Sequence, residues 1–341
     1  MQELVRKNIL KLQPYSCARD EFRGRDAHVF VDANESPFNT GYNRYPDPLQ
    51  EELKQKIAPL KGVRVEEIFL GNGSDEAIDL VYRIFCEPGV DNVVAMSPSY
   101  GMYEVCANIN DVEYRKVLLD DNFQMSADAM LSAADDKTKV MWICSPNNPT
   151  GNDIDRREIK RILDEFKGIV VVDEAYGDFS DKRPLREFIR VYPHLIVLNT
   201  FSKAWASAAV RLGMAFAGSD IIDLFNKVKY PYNVNALTQR YALELLADGE
   251  KIARWLRDVR VERDHMVPAL SEVKCVRKVY PTNANFVLVK VDDANRIYKY
   301  LIDKGIVVRN RNSVQLCGDC LRITIGSKQE NNEVLGALRS F

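Results

Sequence analysis

The chain has no surplus of charge of either sign: 47 Lys and Arg stand against 49 Asp and Glu, for a formal net charge of −2. A nucleic-acid or anionic-membrane partner would favour a basic balance, so neither is expected. Long hydrophobic runs are missing too. No stretch approaches the roughly 18 apolar residues of a membrane helix. The opening MQELVRKNILKLQPY reads as a short amphipathic helix, not a signal peptide, and a cytoplasmic location is expected. Histidine is rare, and the 3 present (His28, His194 and His265) have no motif around them. The 7 cysteines are odd in number and scattered, which indicates free thiols. Cys317-Gly-Asp-Cys320 has metal or redox spacing, but no second pair and no nearby histidine completes a tetrahedral site. No metal is expected. A Walker A loop, the full GxGxxG fingerprint, low-complexity tracts and solenoid repeats are also absent, which excludes a nucleotide-binding dehydrogenase.

What is present is an ordinary globular composition, 46% hydrophobic and 28% charged, in 341 residues. That length suggests about two domains. Apolar, β-branched runs at Asn92–Met96, Lys139–Cys144, Gly168–Val172, Leu195–Leu198 and Gly213–Ala217 alternate with helical patterns such as Asp155–Phe166. The pattern predicts βαβ units around a mostly parallel, buried sheet. Helix starts are expected at Asp47-Pro48 and at Ser74-Asp75-Glu76. Beyond about residue 235 the pattern changes to a long helix over 235–263, strands at 285–291 and 321–325, and helices at 294–304 and 328–338. We expect an N-terminal arm (1–30), a large α/β domain (31–235) and a smaller α+β domain (236–341).

Ligands of open α/β sheets bind beyond the carboxyl ends of the strands. Four polar insertions are expected there: Gly71-Asn-Gly-Ser-Asp75, Ser145-Pro-Asn-Asn-Pro-Thr-Gly151, Asp173-Glu-Ala-Tyr176 and Thr200-Phe-Ser-Lys203. The first opens a helix, so its N–H groups suit an anion, although an ordinary capped helix would look the same. Asp173 follows four apolar residues and needs a partner; a cationic heterocyclic nitrogen or a structural salt bridge would serve. Tyr176 can reach the same ligand, and Asn148 is held between Pro146 and Pro149. Lys203 is either a solvated loop residue or an amine in a cleft. Taken together, an anion cradle, an acid for a ring nitrogen, hydroxyl and amide donors and a cleft amine describe pyridoxal 5′-phosphate bound through an imine. Ser202 and Arg211 would add phosphate donors.

With those residues assembled, the chain resembles the fold-type I pyridoxal-phosphate-dependent aminotransferases over roughly residues 10 to 335. Within them it is most similar to the histidinol-phosphate aminotransferase branch. The carriers are Pro14-Tyr15, Asp32-Ala-Asn-Glu-Ser-Pro37, Asn43-Arg-Tyr-Pro46, Ser97-Pro-Ser-Tyr-Gly-Met-Tyr103, the four insertions, Arg211 and Cys320-Leu-Arg-Ile-Thr324. The resemblance implies that Lys203 is the imine-forming lysine, Asp173 the partner of the pyridine nitrogen, and Tyr176 and Asn148 the groups on the ring oxygen. Tyr100 would stack on the ring. Ser74, Ser202 and Arg211 would hold the phosphate, Gly73 and Asp75 would also contact the cofactor, and Tyr45 would reach the phosphate from the other subunit of a homodimer. Arg322, Arg309, Tyr15 and Asn34 would contact substrate. One departure stands out: after Lys203 the family carries a glycine-bearing stretch, and here it is Ala204-Trp-Ala-Ser-Ala-Ala-Val210.

The implied reaction is transamination between L-histidinol phosphate and 2-oxoglutarate, giving imidazole-acetol phosphate and glutamate. An aromatic amino-acid aminotransferase or a phospho-amino-acid decarboxylase of the same fold is an alternative. A non-catalytic regulator is a further one, but such proteins add a basic DNA-binding module, and too few residues precede the first motif.

Overall fold

The structure is a computed structural model that describes residues 2–17 and 28–341. The expected arm (1–30) therefore lies partly outside the described residues. Within it, α1 (Lys7–Lys11) is a single short turn of helix whose Ile9 is buried.

Seven strands form the main sheet: β1 (Ile68–Asn72), β2 (Asn92–Ser97), β3 (Glu113–Leu118), β4 (Thr138–Cys144), β5 (Ile169–Asp173), β6 (Leu195–Thr200) and β7 (Leu212–Phe216). Their order is β1-β7-β6-β5-β4-β2-β3. Neighbours from β6 to β3 run parallel, and β7 is antiparallel to both β6 and β1. The five expected strands are all found. Two more flank them. β3, Glu-Tyr-Arg-Lys-Val-Leu, is an edge strand whose polar residues stay solvated, so it lacks the apolar run of a central strand. β1 carries Gly71 within a short apolar run.

Helices α2 (Glu51–Lys61), α3 (Ser74–Phe85), α4 (Met102–Ile109), α5 (Ala127–Ser132), α6 (Arg156–Glu165) and α7 (Ser219–Val228) cover the sheet. Period-two side chains divide between its faces. Val93, Ala95, Val171 and Ile196 pack with α3, α4 and α7, whereas Val94, Met96, Val170 and Val197 pack with α5 and α6. Each of the valine, isoleucine and methionine side chains contributes about 1.5–3 kcal/mol by leaving water, which is why a sheet clothed on both faces needs uninterrupted apolar runs. α6 starts as its sequence indicates, with Asp155 Oδ1 accepting from Arg157 N at 2.8 Å. α2 starts three residues later than expected. Asp47 still caps it, through Oδ2 to the Glu51 amide at 2.5 Å, but Gln50 adopts a left-handed turn first.

The expected 235–263 helix is two helices, α8 (Ala236–Leu246) and α9 (Gly249–Ser271). Asp248 interrupts it, its side chain accepting from Lys251 N and restarting the helix. A second sheet follows, of β8 (Val276–Val279), β9 (Phe286–Val291), β10 (Arg309–Asn310) and β11 (Cys320–Thr324), all antiparallel in the order β10-β11-β9-β8. One face packs Val287, Val289, Leu321 and Ile323 against α10 (Ala294–Asp303) and α11 (Lys328–Arg339). The other face presents Phe286, Leu288 and Cys320 to the core of the main sheet. The seven cysteines are all buried, and no disulfide joins any of them among the described residues.

Candidate active site

Because β4, β5 and β6 are parallel neighbours, their carboxyl ends deliver three of the four polar insertions to one place. The fourth, between β1 and α3, joins them through β7. A cleft of about 730 Å³ results, walled by the main sheet on one side and by β10 and β11 on the other. Ser74, Asp75, Tyr100, Asn148, Asp173, Tyr176, Ser202, Lys203, Arg211, Arg309 and Arg322, all expected from the sequence, line it.

Asp173 is the last residue of β5 and is 2% exposed. Its Oδ2 accepts the Tyr103 hydroxyl at 2.7 Å and its Oδ1 the Ala175 amide at 2.9 Å. Burial pushes its carboxyl above the usual range, and the Tyr103 bond only partly offsets this. Among the described residues no cation pairs with it. A buried carboxylate held by two donors yet lacking a counter-ion is a natural partner for a protonated heterocyclic nitrogen.

Lys203 is half-buried in the loop after β6, with its Nζ 5.6 Å from the Tyr176 ring centre. Burial lowers its ammonium pKa, and Arg322 and Arg211 lower it further against the opposing pull of Asp173. More of the amine is therefore neutral at physiological pH, as a nucleophile or a base requires. A buried group fixes this loop from behind. Lys61 Nζ donates to Asp178 at 2.9 Å and to Asn199 at 3.3 Å, and the Trp205 indole donates to the same Asp178 at 3.2 Å. The turn carrying Tyr176 and the loop carrying Lys203 are thereby tied together.

The candidate anion site is built from a glycine and a fork. Gly73 has φ +73° and precedes α3; a Cβ there would lie 2.6 Å from Arg211 Nη2. Arg211 reaches Asp75 Oδ2 at 3.3 Å and Ser202 Oγ at 3.5 Å, so the helix N–H groups, the hydroxyl and the guanidinium converge. Tyr100 leans over the cleft mouth with its hydroxyl on Asp75 Oδ1 at 3.1 Å. The glycine-free stretch still forms its turn, with Ala206 at φ +49° and Arg211 at φ +56°, both left-handed.

The 145–151 turn is held by its own amides. Asn147 Nδ2 donates to the Pro98 carbonyl at 2.9 Å and to Thr150 Oγ1 at 2.8 Å, and Thr150 donates on to Asn152 at 2.6 Å. Asn148 is left in the cleft, where its Oδ1 accepts from Arg322 Nη1. That orients the amide and leaves its N–H groups as donors. Burial lowers Arg322's pKa, and its guanidinium also lies 5.1 Å from the Phe286 ring. Burial holds the Tyr176 phenol protonated.

Three expected residues are not at this cleft. Tyr15 is 74% exposed, and Asn34 and Tyr45 border a separate depression between the 33–46 segment and the start of α8. There Tyr45 stacks on Tyr232 at 4.5 Å, and its amide donates to Glu35 at 2.6 Å. Tyr103 and Arg311 border the site without having been singled out. Arg311 was legible, since it lies two residues from Arg309 in an extended segment. Tyr103 stood in the Ser97–Tyr103 motif without a role, because its partner lies 70 positions away.

Comparison with known proteins bears on this geometry. Residues 21–338 match the family described as Aminotransferase class I and II. The histidinol-phosphate aminotransferase of Bacteroides fragilis is 56% identical over 341 residues, spanning 100% of this chain and 99% of that protein. The crystal structure of the histidinol-phosphate aminotransferase from Clostridium acetobutylicum superimposes with a TM-score of 0.81 at 25% identity, covering 88% of this chain and 91% of that one. The enzyme of that name from Sinorhizobium meliloti, solved in complex with pyridoxal-5′-phosphate, has the same fold, with a TM-score of 0.81 at 22% identity over 98% and 96% of the two chains.

Proposed function

The chain belongs to the class I and II aminotransferases, and on that premise we propose that it transfers the amino group of L-histidinol phosphate to 2-oxoglutarate with pyridoxal 5′-phosphate as cofactor. The products are imidazole-acetol phosphate and glutamate, a step of histidine biosynthesis. The observation that carries this reading is Asp173, a buried carboxylate with no cation paired to it among the described residues, lining one cleft with the half-buried amine of Lys203. The name borne by the Bacteroides relative favours a phosphorylated donor over an aromatic amino acid or a decarboxylation.

The start of α3 (Gly73, Ser74, Asp75) with Ser202 and Arg211 would take the cofactor phosphate. Tyr100 would cover the ring, and Asn148 and Tyr176 would donate to its oxygen. Bound there, the cofactor supplies an electron sink for the pair released when the substrate's Cα loses its proton. Lys203 removes that proton and returns it, since its lowered pKa makes a neutral amine available. Asp173 keeps a proton on the ring nitrogen, with Tyr103 and Ala175 fixing the carboxylate. Arg322 and Arg309 orient the substrate by its anionic group.

Asp173→Asn removes the negative charge while keeping shape, so turnover should fall by about 10²- to 10⁴-fold; normal turnover would refute the assignment. The reaction itself is read from the visible absorption of the loaded enzyme. Adding L-histidinol phosphate without keto acid should bleach the band, and 2-oxoglutarate should restore it. A band that does not respond means another substrate.

Because Tyr15, Asn34 and Tyr45 lie away from their own chain's cleft, we propose a homodimer in which they complete the cleft of the second copy. Sedimentation velocity should give a dimer at micromolar concentration. A fully active monomer would remove that role from Tyr45.

A further inference from the structure

The small-sheet wall of the cleft carries one cation more than the proposed reaction uses. Arg309 pairs with Arg322 across β10 and β11, and the ladder continues with the Arg311 amide donating to the Cys320 carbonyl at 2.9 Å. Alternation along paired strands therefore puts Arg309, Arg311 and Arg322 on one face, the face on which Cys320 meets the main core. All three line the cleft. No carboxylate pairs with any of them among the described residues. Arg311 Nε is buried and meets no acceptor among the described residues. Burial, then Arg322 and Arg309, push the Arg311 guanidinium down to about 10, so the three cations repel one another. Such crowding is unfavourable unless an anion of matching charge enters.

We propose that Arg311 is a specificity-determining residue, the third guanidinium that holds a phosphate monoester and so sets the preference for a phosphorylated amine donor. The inference rests on the reaction proposed above and deepens it. The two anions that visit the site differ in what they can use. A carboxylate has one charge and two oxygens and is satisfied by one fork. A phosphate monoester concentrates about −1.5 to −2 charges and three acceptor oxygens on one group. A third guanidinium therefore adds binding to the phosphate and little to the carboxylate. Arg311's orphaned Nε is the donor left over for it.

The test uses the cofactor-loaded enzyme and follows each half-reaction separately by its spectral change. Arg311→Gln should raise KM for L-histidinol phosphate by about 10- to 100-fold, the worth of one or two charge-assisted hydrogen bonds, with kcat nearly unchanged. The half-reaction with L-glutamate should change by less than about threefold. Arg311→Lys, which keeps the charge but not the fork, should fall between. Independently, inorganic phosphate should raise the melting temperature of the loaded wild type, and the concentration needed should rise at least about tenfold in Arg311→Gln. Equal losses in both half-reactions, or an unchanged phosphate titration, would overturn the proposal. A wild type stabilised by phosphate through Arg311 yet inert toward L-histidinol phosphate would leave the anion site standing and refute the reaction.

Discussion

Lys203 is held between opposing fields: Arg322 and Arg211 lower its pKa, Asp173 raises it, and burial exceeds all of them. Its availability as a neutral amine is thus a property of the surrounding side chains as much as of the lysine. Three residues further on, Ala206 occupies a left-handed conformation at φ +49°. A Cβ in that region costs about 1–2 kcal/mol, and glycine is the residue that avoids it. The extra freedom of glycine in the unfolded chain cancels part of this gain. Ala206→Gly should therefore stabilise the protein by about 0.5–1 kcal/mol in urea unfolding, since Ala206 is exposed and packs little. A loss of stability would show that the Ala206 methyl makes a contact worth more than the strain.

At the level of elements, the proposed anion site depends on how β7 abuts the turn before α3. Gly213 on β7 pairs with Gly71 on β1, and a Cβ at 213 would lie 2.0 Å from the Ser74 nitrogen. Backbone cannot yield as a flexible side chain does. Gly213→Ala should cost about 3 kcal/mol and displace the first turn of α3. Melting temperature would report the first effect and the affinity for pyridoxal 5′-phosphate the second. Unchanged values of both would mean that the turn tolerates a shift. Much of this layer was readable beforehand, because central strands buried on both faces must be apolar throughout. β3 was not, since an edge strand can stay polar. Nor was the α8–α9 break, which a single side-chain cap at Asp248 creates inside a continuous amphipathic pattern.

For the whole molecule, one contribution to acid stability comes from Glu67, whose side chain is fully buried. Arg190 holds its Oε1 at 2.8 Å and Arg64 holds the same oxygen at 2.9 Å. Hydrogen bonds from Arg190, opposed by burial, bring its pKa down to about 2. An unfolded glutamate titrates near about 4.3, so the stabilisation is complete above about pH 5 and disappears as pH falls toward 2. Glu67→Gln should cost on the order of 2 kcal/mol at pH 7. The gap from wild type should close by about pH 2–3. Urea unfolding at several pH values measures it, and a gap independent of pH would assign the cost to packing.

The sequence by itself determined the mostly parallel sheet, the lysine after β6, the acid ending β5 and the turn that presents Asn148. Each of these is a local matter of apolar runs and of the residues that interrupt them. Only the tertiary structure decided that Tyr103 would hold Asp173 and that Lys61 and Asp178 would fix Trp205. It also stacked Tyr45 on Tyr232, away from its own cleft. Those are contacts between segments far apart in the chain, set by how the helices and loops pack around the main sheet, and no short-range pattern encodes them.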